Sequence, residues 1–164
     1  DHTTFMNNRI PAGYTRSSNT NTSPQATLDV LRASRAFISR SHGYTESISC
    51  NGGNMTRSAV LALPPGALGH MQLVYYGACS TGTGGSGAAN LVNATFDRGA
   101  RTVIGFTVNV TCSTTNTWTR AFMNSISNGD TIDRAMRLAD NEVSNSPGGT
   151  NQRLVRGTTT VTVN

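Results

Sequence analysis

Two apolar runs organise this chain, and each stops abruptly at small residues. Residues 36–41 read AFISRS and end at His42-Gly43, while residues 71–77 read MQLVYYG and end at Ala78-Cys79. Near-continuous apolar, β-branched and aromatic character, in place of strict alternation, marks strands covered on both faces, the habit of a parallel sheet. A third strand of the same kind is predicted at Thr102–Phe106.

Helical spacing fills the intervals. Ser23-Pro24 offers an N-cap and a proline at the first helical position, so a helix is predicted over Pro24–Ala33 with Leu28 and Leu31 in its buried stripe. After Cys79 the run 80–87 holds four glycines, and a helix over 88–97 then stops at Gly99. Trp118, Ala121, Phe122 and Ile126 fall at i, i+3, i+4 and i+8, one helix face. A further helix opens with Asp130 as N-cap and Asp133 in capping-box position, its stripe being Ile132, Ala135, Met136, Ala139 and Val143. The alternating tail 154–163 reads as a strand at a sheet edge, and 12–16 as a short strand after an irregular lead-in. Residues 44–70, with Gly52-Gly53 and Pro64-Pro65-Gly66, form a long surface excursion holding a small hairpin. The order βα–β–βα–β–αα–β predicts an α/β fold, a three-layer sandwich with a mostly parallel central sheet flanked by helices. No repeat or linker divides the 164 residues, which read as one domain.

Open α/β sheets bind ligands at the carboxyl ends of their strands. His42 and Cys79 both sit at such ends, so one crevice would hold an imidazole and a thiol. A free thiol, with a pKa of about 8.5, is mostly protonated at neutral pH, and a close imidazole makes it a nucleophile. Acyl transfer also needs donors for an oxyanion, and the amides of Gly43 and Cys79 are the natural candidates, because small neighbours allow close backbone approach. Neither a metal nor a cofactor is expected. The histidines and cysteine lack ligand spacing, and the glycine run 82–87 lacks the Lys-Ser/Thr of a phosphate-binding loop.

Composition constrains the reading further. All 13 basic residues are arginine, where an average chain of this length would carry roughly ten lysines. These arginines are scattered without a run or aromatic interleaving, so the net charge of +5 does not predict a nucleic-acid partner. No stretch reaches the ~18 apolar residues of a membrane span. Low charge, the missing lysines and the Asn-Xaa-Thr sequences at Asn54, Asn93 and Asn109 suggest a secreted, extracellular protein, and the start at Asp1 suits a processed product or a fragment. Three cysteines leave one over: if Cys50 and Cys112 form a disulfide, Cys79 is the free thiol.

Ser-His-Gly after one strand and Tyr-Gly-Ala-Cys-Ser-Thr-Gly after the next resemble the His-Gly and Ala-Cys-x-x-Gly motifs of the caspase-like (clan CD) cysteine peptidases. The continuation AANLVNATFDRGARTVIG, residues 88–105, is similar to the helix, Gly-Ala-Arg turn and Val-Ile-Gly strand of CHAT-type domains, and 130–141 resembles their later helix. The resemblance covers roughly residues 25–145 and implies a cysteine endopeptidase. His42 would act as general acid/base, Cys79 as the nucleophile that forms an acyl-enzyme, and a peptide or protein would be the substrate. The caspase signature itself has Gln before Ala-Cys and a histidine about 50 residues upstream; here Gly77 stands in that place and the interval is 37 residues. Glu46 is the acid near His42 that could meet a basic substrate side chain, and a Lys-cleaving peptidase would gain from containing no lysine. The superfamily has a strand and helix ahead of the 12–16 segment, for which this chain has no room. The resemblance therefore implies that the lead-in replaces them or that another fragment of the same precursor supplies them. The alternatives to a peptidase are a catalytically silent caspase-like module that binds a partner, and an extracellular structural or assembly subunit.

Overall fold

The computed structural model describes residues 22–144 and 152–163. Helix α1, Pro24–Ala33, starts as its sequence demands: Ser23 Oγ accepts from Ala26 N at 3.2 Å and Pro24 occupies the first helical position. Strand β1, Ala36–Arg40, follows directly and carries the chain towards His42. The excursion that comes next is more regular than a surface loop. Its strands β2, Gly43–Tyr44, β3, Ser47–Cys50, and β4, Gly53–Thr56, make a three-stranded antiparallel sheet in sequence order. A short helix α2, Arg57–Leu61, capped by the Thr56 hydroxyl, closes it.

The central sheet is completed by β5, Leu73–Gly77, β6, Thr102–Phe106, and β7, Arg153–Gly157, in the order β1-β5-β6-β7. Both β1–β5 and β5–β6 are parallel, and β7 lies antiparallel on β6 at the edge. Among the described residues β1 pairs on one side only, with β5. Helix α3, Leu91–Asp97, links β5 to β6, and α4, Cys112–Ser127, and α5, Ile132–Val143, link β6 to β7. This is the mixed α/β sandwich with a mostly parallel sheet that the element order predicts.

Side-chain alternation divides the core between the two faces of the sheet. Phe37, Val74, Tyr76 and Val103 pack with Leu28 and Leu31 of α1, Val60 of α2 and Leu91 of α3. Leu73, Tyr75, Ile104 and Phe106 pack on the other side with Trp118 and Phe122 of α4 and Ala135 of α5. The two tyrosines are fully buried, and each satisfies its hydroxyl on a helix threonine: Tyr75 with Thr119 at 3.1 Å, Tyr76 with Thr95 at 2.8 Å. Trp118 Nε1 donates to Asp140 Oδ1 at 2.9 Å, and Arg153 pairs with the same carboxylate, so α4, α5 and β7 are tied at one buried point.

Four expectations are corrected here. The helix after Cys79 begins at Leu91, because Asn90 caps it and residues Gly85–Gly87 form a 3₁₀ turn instead. Helix α5 is capped by Thr131, whose hydroxyl accepts from Arg134 N, while Asp130 turns to Ser125 and Arg134. The tail strand spans only Arg153–Gly157, with a later single bridge from Thr162 to Thr131. Cys50 and Cys112 are not bridged. All three thiols are free, Cys50 donating to Thr27 Oγ1 under α1 while Cys112 is exposed at the start of α4 on the other side of the sheet. The strand expected at 12–16 lies outside the described residues.

Burial pushes the Tyr75 and Tyr76 phenols well above their ordinary range. The unfolded chain therefore releases those protons first, near pH 10, and stability falls as pH rises beyond that point, by about 1.4 kcal/mol per pH unit for each tyrosine. Urea midpoints measured between pH 9 and 11.5 should fall with a slope about half as steep in Tyr76→Phe as in the parent. Equal slopes would show that the buried phenols do not govern alkaline unfolding.

Candidate functional site

The parallel register runs from Ala36 opposite Leu73 to Arg40 opposite Gly77. His42 and Cys79 each stand two residues beyond that last pair. Equal counts on neighbouring parallel strands bring the two residues out of the sheet side by side. The contact that follows is close. A Cβ placed on Gly43 would fall 2.6 Å from Ala78 Cβ, 2.7 Å from Cys79 O and 3.1 Å from Cys79 N. Only glycine lets the backbone after His42 lie against the backbone of Cys79 in this way.

The hairpin β2–β3 sets the direction of the Gly43 amide. Ser49 N donates to His42 O at 2.8 Å, and Gly43 is the next position, opposite Ile48. In an antiparallel pair the residue after a hydrogen-bonded position turns its N–H outward, so the Gly43 amide points away from β3. His42 is exposed beside it.

Cys79 is half-buried, and its thiol faces the segment that leaves β6. Sγ donates to Val110 O at 3.4 Å and accepts from Val110 N at 3.3 Å. The residues that follow are laced to the same segment. Ser80 N donates to Val108 O at 3.0 Å, Gly82 N to Phe106 O at 2.8 Å and Thr83 Oγ1 to Thr107 O at 2.9 Å. Ser80 has φ 59°, and among the described residues no other non-glycine has a positive φ. A left-handed non-glycine costs of order 1 kcal/mol or more and persists only where surrounding contacts impose it. Here the Ser80 hydroxyl donates to Asn109 Oδ1 at 2.9 Å, one of those contacts.

The remaining candidates fall in different places. Glu46 sits in the β2–β3 turn, exposed, with its carboxylate 3.4 Å from Arg57 NH1. An exposed pair of this kind is worth at most about 1 kcal/mol, so it holds Glu46 only loosely. Arg40, the last residue of β1, is half-buried, and desolvation pulls its guanidinium below the ordinary range against the opposing influence of Tyr75 and Cys112. Among the described residues no three His, Cys, Asp or Glu side chains gather into a metal-binding group, and no helix is long and apolar enough to cross a membrane. Sequence reasoning missed the 106–110 segment and Ser80. The first was signalled, because it leaves the carboxyl end of a central strand, where sites form. The second carried no signal, since serine gives no hint of a left-handed backbone.

A strand-end histidine and a strand-end cysteine thus leave adjacent parallel strands of a helix-flanked sheet with an antiparallel edge. The crystal structure of the Arg-specific cysteine proteinase gingipain R shares this fold with a TM-score of 0.72 at 11% identity, over 88% of this chain and 37% of the gingipain chain. The chain thus spans little more than a third of that protein's length. The family model described as the CHAT domain matches residues 19–154, and the chain belongs to the CHAT family. A comparison with curated protein sequences returns no match.

The Gly43 contact yields a stability prediction. Gly43→Ala forces the hairpin off Cys79 and should cost about 1–3 kcal/mol, the range of an overpacked site. Gly87→Ala, where a Cβ meets nothing within 4 Å, is the control and should change the denaturation midpoint little. Equal midpoints for both variants would mean that the close approach of Gly43 to Cys79 is absent in solution.

Proposed function

We propose that the chain is a cysteine endopeptidase domain in which Cys79 attacks a peptide carbonyl with His42 as acid and base. The observation that carries this reading is the in-register exit of the two residues, with Gly43 pressed against Cys79. In the first step His42 takes the thiol proton and sulfur bonds to the carbonyl carbon. The oxyanion that forms accepts from the amides of Gly43 and Cys79, whose placement would be worth about 10²–10³ in rate. Collapse of the adduct expels the amine, which receives the proton from His42, and leaves a thioester on Cys79. Water, deprotonated by His42, then releases the acid and restores the thiol. On this reading Glu46 supplies the β2–β3 hairpin's carboxylate for a basic substrate side chain, in competition with Arg57, and the lysine-free sequence favours cleavage after Lys. Residues outside the chain, such as another fragment of the same precursor, would complete the substrate groove.

A second reading has one observation in its favour. The Cys79 thiol bonds the Val110 peptide on both its donor and acceptor sides, as a packing cysteine would in a silent partner-binding module.

Peptide-library digestion followed by mass spectrometry separates the two. The parent should cleave with a preference for Lys over Arg, and Cys79→Ala and His42→Ala should each lower kcat/KM by about 10³-fold or more. His42→Ala should leave the melting temperature almost unchanged, because the side chain is exposed. Cleavage that survives Cys79→Ala would sink the peptidase reading, and equal cutting after Lys and Arg would remove the specificity proposal alone.

A further inference from the structure

Asn90 lies at the first turn of α3, outside the dyad, and is fully buried. Its amide nitrogen donates to Thr83 O at 3.1 Å and to Gly85 O at 2.9 Å, both in the loop that follows Cys79. Its amide oxygen accepts from Asn93 N at 2.8 Å and so caps the helix. The two helix amides in between are also committed. Leu91 N donates to Thr45 O at 2.9 Å, in the turn of the hairpin that carries His42, and Val92 N donates to Thr81 O at 3.2 Å, two residues past Cys79. One helical turn therefore holds the histidine hairpin with one amide, the cysteine loop with the next, and the same loop again through the Asn90 side chain.

Resting on the dyad reading above, we infer that Asn90 is a positioning residue: it fixes the cysteine loop against the histidine hairpin and so sets the reach of His42 to Cys79. A residue doing only the capping would need an acceptor oxygen, which Ser, Thr or Asp supplies equally well. The amide donors are the part that capping does not require. They are also what the carbonyls of Thr83 and Gly85 would lose in an aspartate variant of nearly identical shape.

The test is the pH dependence of Cys79 alkylation by iodoacetamide, with the modified cysteine assigned by mass spectrometry. The parent, Asn90→Asp, Asn90→Ser, His42→Ala and the double variant His42→Ala/Asn90→Asp are compared. Asn90→Asp keeps the cap and loses the donors; Asn90→Ser keeps the cap without adding charge and replaces the two amide donations by one shorter hydroxyl. Both should lower the rate of Cys79 alkylation near pH 6.5 about tenfold, towards that of His42→Ala. In the His42→Ala background the Asn90→Asp change should have almost no further effect, because its action runs through the imidazole. Asn90 profiles that superimpose on the parent, or effects that multiply with His42→Ala, would overturn the inference while leaving the dyad intact. Loss of the fold in both Asn90 variants, seen by circular dichroism, would assign the residue to stability and overturn it too. A His42→Ala profile identical to the parent overturns the dyad reading itself, an outcome that the Asn90 variants alone cannot produce.

Discussion

Everything at the candidate site depends on the register between two neighbouring parallel strands. A shift of one residue between β1 and β5 would reverse which side chains face each core and would separate His42 from Cys79 along the sheet. That register is over-determined. Phe37 and Tyr76 meet edge-on with ring centroids 6.1 Å apart on one face, and on the other Tyr75 lies 4.9 Å from Trp118. Each aromatic contact contributes about 0.5–1.5 kcal/mol beyond its buried area; the first ties β1 to β5 directly, and the second anchors β5 to α4, so moving β5 would break both. The placement of His42 and Cys79 at the strand ends therefore depends on packing in the middle of the sheet.

The loops beyond the sheet have no such packing and are held by backbone hydrogen bonds. The run 80–87 is too small and too polar to contribute to either core. Its carbonyls and amides are matched by the 106–110 segment on one side and by Asn90 and Asn93 on the other. Arg156 of β7 reaches the same cluster, donating to Ser86 O at 3.0 Å while its guanidinium lies 4.5 Å from the Phe96 ring centroid. A glycine-rich stretch with large conformational entropy is thereby kept in one shape by partners on three different elements. This arrangement accounts for the buried asparagines, which would otherwise be costly in a helix start packed against the sheet.

The sequence made the central sheet legible because strands covered on both faces leave an unambiguous apolar signature. The strands at 36–41, 71–77 and 102–106 and the helix at 24–33 were readable for that reason, as was the caspase-like class from the residues at the strand ends. Legibility failed where local structure is decided by partners distant in sequence. Residues 43–56 pair as a small sheet whose strands are only two to four residues long, too short to show a period. Helix α3 starts three residues later than its composition suggests, because the amide of Asn90 finds carbonyls in the preceding turn. The Cys50–Cys112 bridge was an inference from parity, and parity carries no geometry: the two residues belong to elements on different sides of the sheet. Glu46 was singled out by proximity to His42, whereas its carboxylate turned out to be shared with Arg57, eleven positions on.

The bonds of the Cys79 thiol to Val110 bear directly on how the two candidate residues would work. The S–H donates to Val110 O while Val110 N donates to the sulfur, so one peptide meets both hydrogen-bonding capacities of the thiol. An S–H is a weak donor, so moving the proton from that carbonyl to an imidazole forfeits only a small part of the ~1 kcal/mol typical of a protein hydrogen bond. The N–H contact strengthens once the sulfur is charged, because hydrogen bonds to ionised acceptors are roughly twice as strong as neutral ones. The same charge would also meet the Val110 carbonyl, which has no proton to offer it. The resting contact therefore fits both a nucleophile that ionises and a packing cysteine that stays neutral, and the reactivity of Cys79 is what separates them.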